Sequence, residues 1–209
     1  MEWNGTERLA GLLGGVEEGE ATGTLTVDGV APAQARGRVG LLMQDPEAQV
    51  VLARVGDDVA FGMENLGVAR EEIWPRVENS LEAVGLSVPL DHSTTELSGG
   101  QKQRLALASI LAMGPGLLLL DEPSSNLSAD AVENLTGVLR ELRRLGITIV
   151  LSEHRLHYLA PVVDRFVLLE RGRIAREWSA EQILALSDAD LAAHGLRDIR
   201  APATTTLPA

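Results

Sequence analysis

The chain has 209 residues and a formal net charge of −12, and 45% of its residues are hydrophobic. This size suits one domain with a buried core, and the acidic charge excludes a general nucleic-acid binder, which needs a basic surface. The absence of cysteine excludes disulfides, thiolate metal sites and a cysteine nucleophile. No secretory signal is visible and the apolar run 105–120 is interrupted by Met-Gly-Pro-Gly, so we expect an intracellular protein.

Apolar runs predict five strands. Residues 38–43, 117–120, 147–151 and 165–169 do not alternate with polar residues, a pattern typical of strands that are covered on both faces of a parallel sheet. Residues 24–27 do alternate, and they predict a half-exposed strand that ends in an Asp-Gly turn.

Helical spacing of apolar residues predicts helices over 73–84 and 132–145, each ended by a glycine. The segment 179–186 opens with a capping-box pattern and predicts a third. Residues 45–113 contain no strand of comparable quality and indicate a helical insertion, while 198–209 are expected to form a flexible tail. The alternation of strands and helices predicts an α/β fold.

Two acids, Asp121 and Glu122, directly follow the strand 117–120. Ligands of open α/β sheets bind at the carboxyl ends of the strands, so these side chains are candidates for chemistry. The first acid can hold Mg²⁺, and the second can orient or deprotonate an attacking water. The alternative is an ordinary acidic loop after a strand.

A glycine-rich turn precedes a second apolar helix at 97–104, where Ser98, Gly99, Gly100 and Gln101 follow one another. As a structural device, the serine and glutamine fit a capping box and the glycines permit a tight turn. As a binding device, the glycines let phosphate oxygens approach backbone N–H groups at a helix N-terminus. The pattern alone leaves both readings open.

Two further polar residues follow predicted strands. Gln44 comes directly after 38–43 and could reach a metal or a water, although it could equally be a solvated loop residue. His154 follows 147–151 and could contact a phosphate, although it could equally be a histidine near a helix start.

Taken in order and spacing, these motifs resemble the ATP-binding cassette (ABC) ATPase family over about residues 9–196. The resemblance implies a RecA-like P-loop NTPase core with a helical subdomain at about 45–113, an ATPase domain over 1–197, and ATP and Mg²⁺ as cofactors. It also implies a head-to-tail dimer, in which the signature of one domain closes over the ATP of the other. The implied roles are the Q-loop glutamine and metal contact for Gln44, the nucleotide-contacting signature for Ser98, Gly99, Gly100 and Gln101, the Walker B metal ligand for Asp121, the catalytic base for Glu122 and the switch histidine for His154.

The segments 44–49 and 55–67 are similar to those of energy-coupling-factor (ECF) importers, which take up vitamins, cobalt or nickel. That likeness implies that 55–67 faces a transmembrane coupling subunit and that the chain lies at the inner face of the cell membrane with a second ABC ATPase subunit. An ordinary acidic amphipathic helix would explain 55–67 equally well. No nucleic-acid partner is expected.

The family's phosphate-binding Walker A motif, G-x-x-x-x-G-K-[S/T], does not occur in the 209 residues, and the sole lysine, Lys102, lies beside the signature. We therefore expect an N-terminally incomplete cassette whose stand-alone ATP hydrolysis is doubtful. A truncated gene product, a mis-started reading frame, and a non-hydrolysing subunit that donates its signature to a partner's ATP all fit. A soluble ABC protein of DNA repair or translation is a further alternative.

Overall fold

The computed structural model describes residues 23–35, 37–125 and 127–196. The predicted tail 198–209 and the family resemblance upstream of residue 23 lie outside this part of the chain. The chain divides into two compact units, Met1–Ser152 and Glu153–Ala209, and each is described by itself.

A parallel sheet forms the centre of the first unit. Its strands are β1 (Val39–Leu42), β2 (Leu117–Asp121) and β3 (Thr148–Ser152), in the order β1-β2-β3. The three middle leucines of β2 are at most 2% exposed, because a central strand of a parallel sheet is covered on both faces. The α/β prediction is confirmed.

Among the described residues of the first unit, four α-helices accompany this sheet: α1 (Val55–Asn65), α2 (Arg70–Ala83), α3 (Gly99–Ala112) and α4 (Ala129–Arg144). The first three lie within residues 45–113, all of which are described and which contain no strand. The helix predicted over 73–84 begins three residues earlier than its apolar stripe, and Pro75 lies inside it. The helix predicted over 132–145 is α4, whose first turn is capped by Ser128.

The prediction that 147–151 is buried on both faces is wrong. β3 has no buried residue, and Val150 is 42% exposed. The physical reason is position: in the described part of the chain β3 is an edge strand that pairs only with β2. The other edge strand, β1, is shielded by Gln49, whose side chain accepts from Met43 N–H at 2.8 Å and donates to Leu41 C=O at 2.9 Å.

The described part of the second unit, residues 153–196, contains a hairpin and two short helices. Its strands β4 (Arg165–Glu170) and β5 (Arg173–Ser179) are antiparallel, and α5 (Ala180–Leu184) and α6 (Asp188–Ala193) follow. The prediction that 165–169 is covered on both faces of a parallel sheet is therefore wrong, because β4 pairs in a two-stranded hairpin and only its Phe166 is buried. The capping box predicted at the start of α5 is present. Neither β5 nor α6 was predicted from the sequence.

The strand predicted over 24–27 is also wrong, since only Val27 pairs, in an isolated bridge with Val30 across the turn. Two residues of pairing cannot propagate a ladder without a neighbouring strand. Among the described residues, none of the helices has the length and apolar character needed to cross a membrane.

Candidate functional site

The carboxyl edge of the sheet brings Gln44 and Glu122 together. Gln44 lies two residues beyond β1, and Glu122 is the first residue beyond β2. The Gln44 Nε2 group donates to Glu122 Oε2 at 2.9 Å, although 78 positions separate the two residues. Parallel strands in register end at the same edge, which explains how distant residues meet here.

The backbone of Glu122 is unusual, because its φ of +43° lies in the left-handed region that residues with a side chain rarely adopt. The Glu122 N–H donates to the carbonyl of Ser152 at 3.1 Å, which fixes this conformation against the end of β3. Strain of this kind persists where surrounding contacts impose it, and it is common at functional sites. Here it sets the direction in which the carboxylate leaves the strand.

Asp121, the last residue of β2, is half-buried and is oriented by its neighbour on β3. It pairs in register with Ser152, and the Ser152 hydroxyl donates to Asp121 Oδ1. The sequence analysis gave Ser152 no role. The sequence did offer a signal for this role, because Ser152 is a hydroxyl residue directly after the predicted strand that follows the one leading to Asp121.

The N-terminus of α3 carries Ser98, Gly99, Gly100 and Gln101 in the predicted capping box. The Ser98 hydroxyl accepts from Gln101 N–H at 3.4 Å, and the Gln101 side chain accepts from Ser98 N–H at 2.9 Å. A Cβ at Gly99 would meet no atom within 4 Å. Packing therefore does not require glycine at this position, whereas close approach of an external group would.

Two side chains of α3 tie this helix to the acidic edge, and the sequence analysis missed both contacts. The buried Gln103 side chain donates through Nε2 to the carbonyl of Pro123, the residue after the acid pair. Lys102 Nζ lies 2.6 Å from Glu47 Oε1, three residues beyond Gln44. The signal for Gln103 was a polar residue on the buried side of an apolar helix.

His154 is the second residue of the second unit, and it is exposed. The preceding residue, Glu153, organises its backbone: Glu153 Oε1 accepts from the N–H groups of His154 at 2.8 Å and Arg155 at 3.0 Å. Tyr158 donates its hydroxyl to Glu153 Oε2 at 2.6 Å. The Glu153 carboxylate therefore helps to order the loop that carries His154.

The chain is similar to proteins of one known family. Residues 8–125 match the family model described as ABC transporter. The chain is 41% identical over 200 residues to the cobalt import ATP-binding protein CbiO of Rhodobacter capsulatus, with 94% of this chain and 69% of that protein aligned. It is 37% identical over 194 residues to an ABC transporter ATP-binding protein of Treponema denticola, with 90% of this chain aligned but only 40% of that longer protein.

The fold has a matching solved structure. The cbiO1 protein of Clostridium perfringens, described as part of the ABC transporter complex cbiONQ, superposes with a TM-score of 0.77 at 30% identity and covers 88% of this chain and 77% of that one. The same RecA-like sheet and helices are therefore present in both. On the family match and the CbiO relative, the chain belongs to the ABC transporter ATP-binding family.

Proposed function

We propose that this chain is the ATP-binding and ATP-hydrolysing subunit of an ECF-type importer, held at the inner face of the membrane by a transmembrane subunit and paired with a second ABC ATPase subunit. The observation that carries the proposal is the convergence of Gln44, Asp121 and Glu122 at one sheet edge. Hydrolysis of a phosphoanhydride needs a carboxylate that acts as general base, a metal ligand and an amide that contacts the carboxylate. Glu122, Asp121 and Gln44 supply these groups in that order.

In this proposal Glu122 accepts a proton from the attacking water, and Gln44 holds the carboxylate by its 2.9 Å hydrogen bond. Ser98 and the glycine N–H groups contact the phosphates of an ATP held largely by the other subunit. His154 contacts phosphate from the loop organised by Glu153. Each of these roles follows from the family resemblance and agrees with the local contacts.

Asp121 and Gln44 suit Mg²⁺, because carboxylate and amide oxygens are hard donors and Mg²⁺ in ATPases uses one or two such groups together with phosphate oxygens. The Ser152 hydroxyl orients the Asp121 carboxylate and satisfies one of its lone pairs. When bound, Mg²⁺ would neutralise charge on the phosphates.

The importer assignment is supported by the CbiO relative and by the ECF-like segment 55–67, which forms α1. Phe61 on α1 and Trp74 on α2 are 38% and 42% exposed, and these apolar groups suit a protein partner better than solvent. Affinity purification of the tagged chain from detergent-solubilised membranes tests the assignment. We expect a membrane subunit to be recovered, while ribosomes or DNA-repair proteins instead would contradict it.

A second candidate function is that of a non-hydrolysing subunit which donates its signature to a partner's ATP. It is favoured by the intact capping box at Ser98 beside a sequence without a Walker A lysine. The isolated chain should then show no measurable ATP turnover, and mixing it with a Walker A-bearing subunit should raise that subunit's turnover. Ser98→Arg should abolish the gain, and turnover by the isolated chain that Glu122→Gln removes would contradict this candidate.

A further inference from the structure

Two buried polar side chains, Asp58 and Thr94, are hydrogen-bonded to the backbone of the exposed loop 51–54. Asp58, 5% exposed, accepts at Oδ1 from Val51 N–H at 2.7 Å and from Leu52 N–H at 2.8 Å. Thr94, 3% exposed, donates its hydroxyl to the carbonyl of Leu52 at 2.8 Å. The backbone N–H and C=O of Leu52 are thus both hydrogen-bonded to buried side chains, while Val51 remains 59% exposed.

The same loop is joined by backbone hydrogen bonds to the segment 90–94. Arg54 and Ser93 form an antiparallel bridge, and Val55 N–H donates to the carbonyl of His92 at 3.1 Å. Thr94 N–H donates to the carbonyl of residue 53 at 3.0 Å. The loop and the segment 90–94 therefore form one short, hydrogen-bonded ribbon.

This ribbon leads directly into the signature. Thr94 is the first residue of the 3-10 turn Thr94–Glu96, which is followed by Leu97, 5% exposed, and by the N-cap Ser98. Only three residues separate Thr94 from Ser98, and they are fixed by the turn and by burial of Leu97. A displacement of the loop 51–54 would therefore be transmitted to the N-terminus of α3, because the connection between them is short and ordered.

Asp58 also lies beside the signature helix, because its Oδ2 is 3.4 Å from the Ser109 hydroxyl on α3, which lies 3.0 Å from the carbonyl of Leu105. A buried carboxylate is costly unless it is hydrogen-bonded, and an apolar residue would fill the same space at lower cost. The charge at Asp58 is therefore explained by the loop that it holds rather than by packing.

We propose that Asp58 and Thr94 are positioning residues that carry movement of the loop 51–54 to the signature Ser98–Gln101. The inference rests on the proposed function, in which a membrane subunit docks on this helical region. Docking would press on the exposed loop, and the two side chains would pass its displacement to the N-terminus of α3.

The test is hydrogen exchange of the full chain with and without the membrane subunit recovered by affinity purification. In the wild type, docking should slow exchange at 51–54 and change it at 99–102. Thr94→Val removes the hydroxyl and keeps the shape, so docking should still protect 51–54 while the response at 99–102 falls about ten-fold. Thr94→Ser keeps the hydroxyl and should restore the response.

A second pair keeps the test decisive if Thr94→Val does not fold. Asp58→Ala removes both carboxylate oxygens, while Asp57→Ala changes an exposed neighbour and leaves the loop contacts intact, so only the first should weaken the response at 99–102. An undiminished response in Thr94→Val and Asp58→Ala, or a wild-type response confined to 51–54, would overturn the inference and leave the proposed function standing. The absence of any protection of 51–54 in the wild type would instead overturn docking, and the proposed function with it.

Discussion

At the residue scale, Glu122 joins a strained backbone to a hydrogen-bonded carboxylate. Its left-handed φ and its bond from Gln44 fix where the acid points, and neither feature depends on its charge. A glutamine at this position could still accept from Gln44 Nε2, so the geometry would survive its substitution. The chemistry would not, because an amide oxygen is far too weak a base to accept the proton of the attacking water.

We therefore expect Glu122→Gln, in a version of the chain to which a Walker A segment has been joined, to retain nucleotide binding and to lower the hydrolysis rate by roughly 10²–10⁴-fold. Steady-state phosphate release and nucleotide binding, measured on the same preparation, check both parts. Glu71→Gln, an exposed acid at the start of α2, is the control and should change neither. Hydrolysis at the wild-type rate in Glu122→Gln would assign the base elsewhere.

Gly40 shows a different residue-scale constraint, which comes from packing. A Cβ at this position of β1 would lie 2.1 Å from Cγ2 of Ile110 on α3, so the helix that carries the signature is seated directly on the strand that leads to Gln44. Gly40→Ala should therefore destabilise the first unit by about 1–3 kcal/mol. Urea unfolding measures the loss.

Gly137 provides a matched comparison for Gly40. It lies inside α4, where a Cβ would meet nothing within 4 Å, so Gly137→Ala should stabilise by about 0.5–1 kcal/mol through helix propensity. Combining Gly40→Ala with Ile110→Ala should recover part of the clash energy. If both alanine substitutions changed stability alike, the close approach of α3 to β1 would be contradicted.

At the element scale, capping chemistry was readable from the sequence and long-range contacts were not. Ser98 and Ser179 are each followed three residues later by a glutamine, and this pattern indicates a helix start because the capping box involves only neighbouring groups. The exposure of β3 was not readable, because an apolar run carries no information about which neighbours cover it. The contact of Gln103 with Pro123 likewise depends on how α3 packs.

The helix α6 was missed because its capping box uses an aspartate, Asp190, where the pattern normally has glutamate or glutamine. Its short length also gives little apolar periodicity.

For the candidate site, order and spacing along the chain identified the residues at the sheet edge. Only the fold could add Ser152, whose role depends on its register with Asp121.

Asp190 makes the stability of α6 depend on pH. The Ser187 hydroxyl, then the Ser187 N–H, and to a smaller extent His194, hold the pKa of Asp190 below its ordinary value. A lowered folded-state pKa means that the stabilisation is present above the unfolded-state pKa and is lost as pH falls through the folded value. Carboxyl-carbon NMR should therefore give Asp190 a titration midpoint below about 3.9, the ordinary value.

Ser187→Ala is the comparison for this titration. It removes the hydroxyl that donates to Asp190 Oδ2 at 2.5 Å, so the midpoint should rise towards the ordinary value, and the amides of 188–193 should exchange faster. An unchanged midpoint in Ser187→Ala would show that the cap does not set the ionisation of Asp190.

At the scale of the whole molecule, charge bears on which second ATPase subunit the chain takes. Each copy carries a formal charge of −12, so two copies repel each other at long range. Salt shortens the Debye length from about 30 Å at 0.01 M to about 8 Å at 0.15 M and so screens this repulsion. Association between this chain and a basic subunit would instead weaken as the salt concentration rises, because screening removes an attraction.

We expect self-association of the chain, followed by analytical ultracentrifugation with Mg·ATP present, to strengthen as ionic strength rises over that range. Association with a net-basic ATPase subunit should weaken over the same range, because screening then removes attraction. Exchanging Glu133 and Glu141, two exposed acids of α4, for glutamine lowers the repulsion and should flatten the salt dependence of self-association. If self-association instead weakened as salt rises, attraction between complementary local charges would outweigh the repulsion from the net charge. The prediction that net negative charge opposes pairing of two copies would then be wrong.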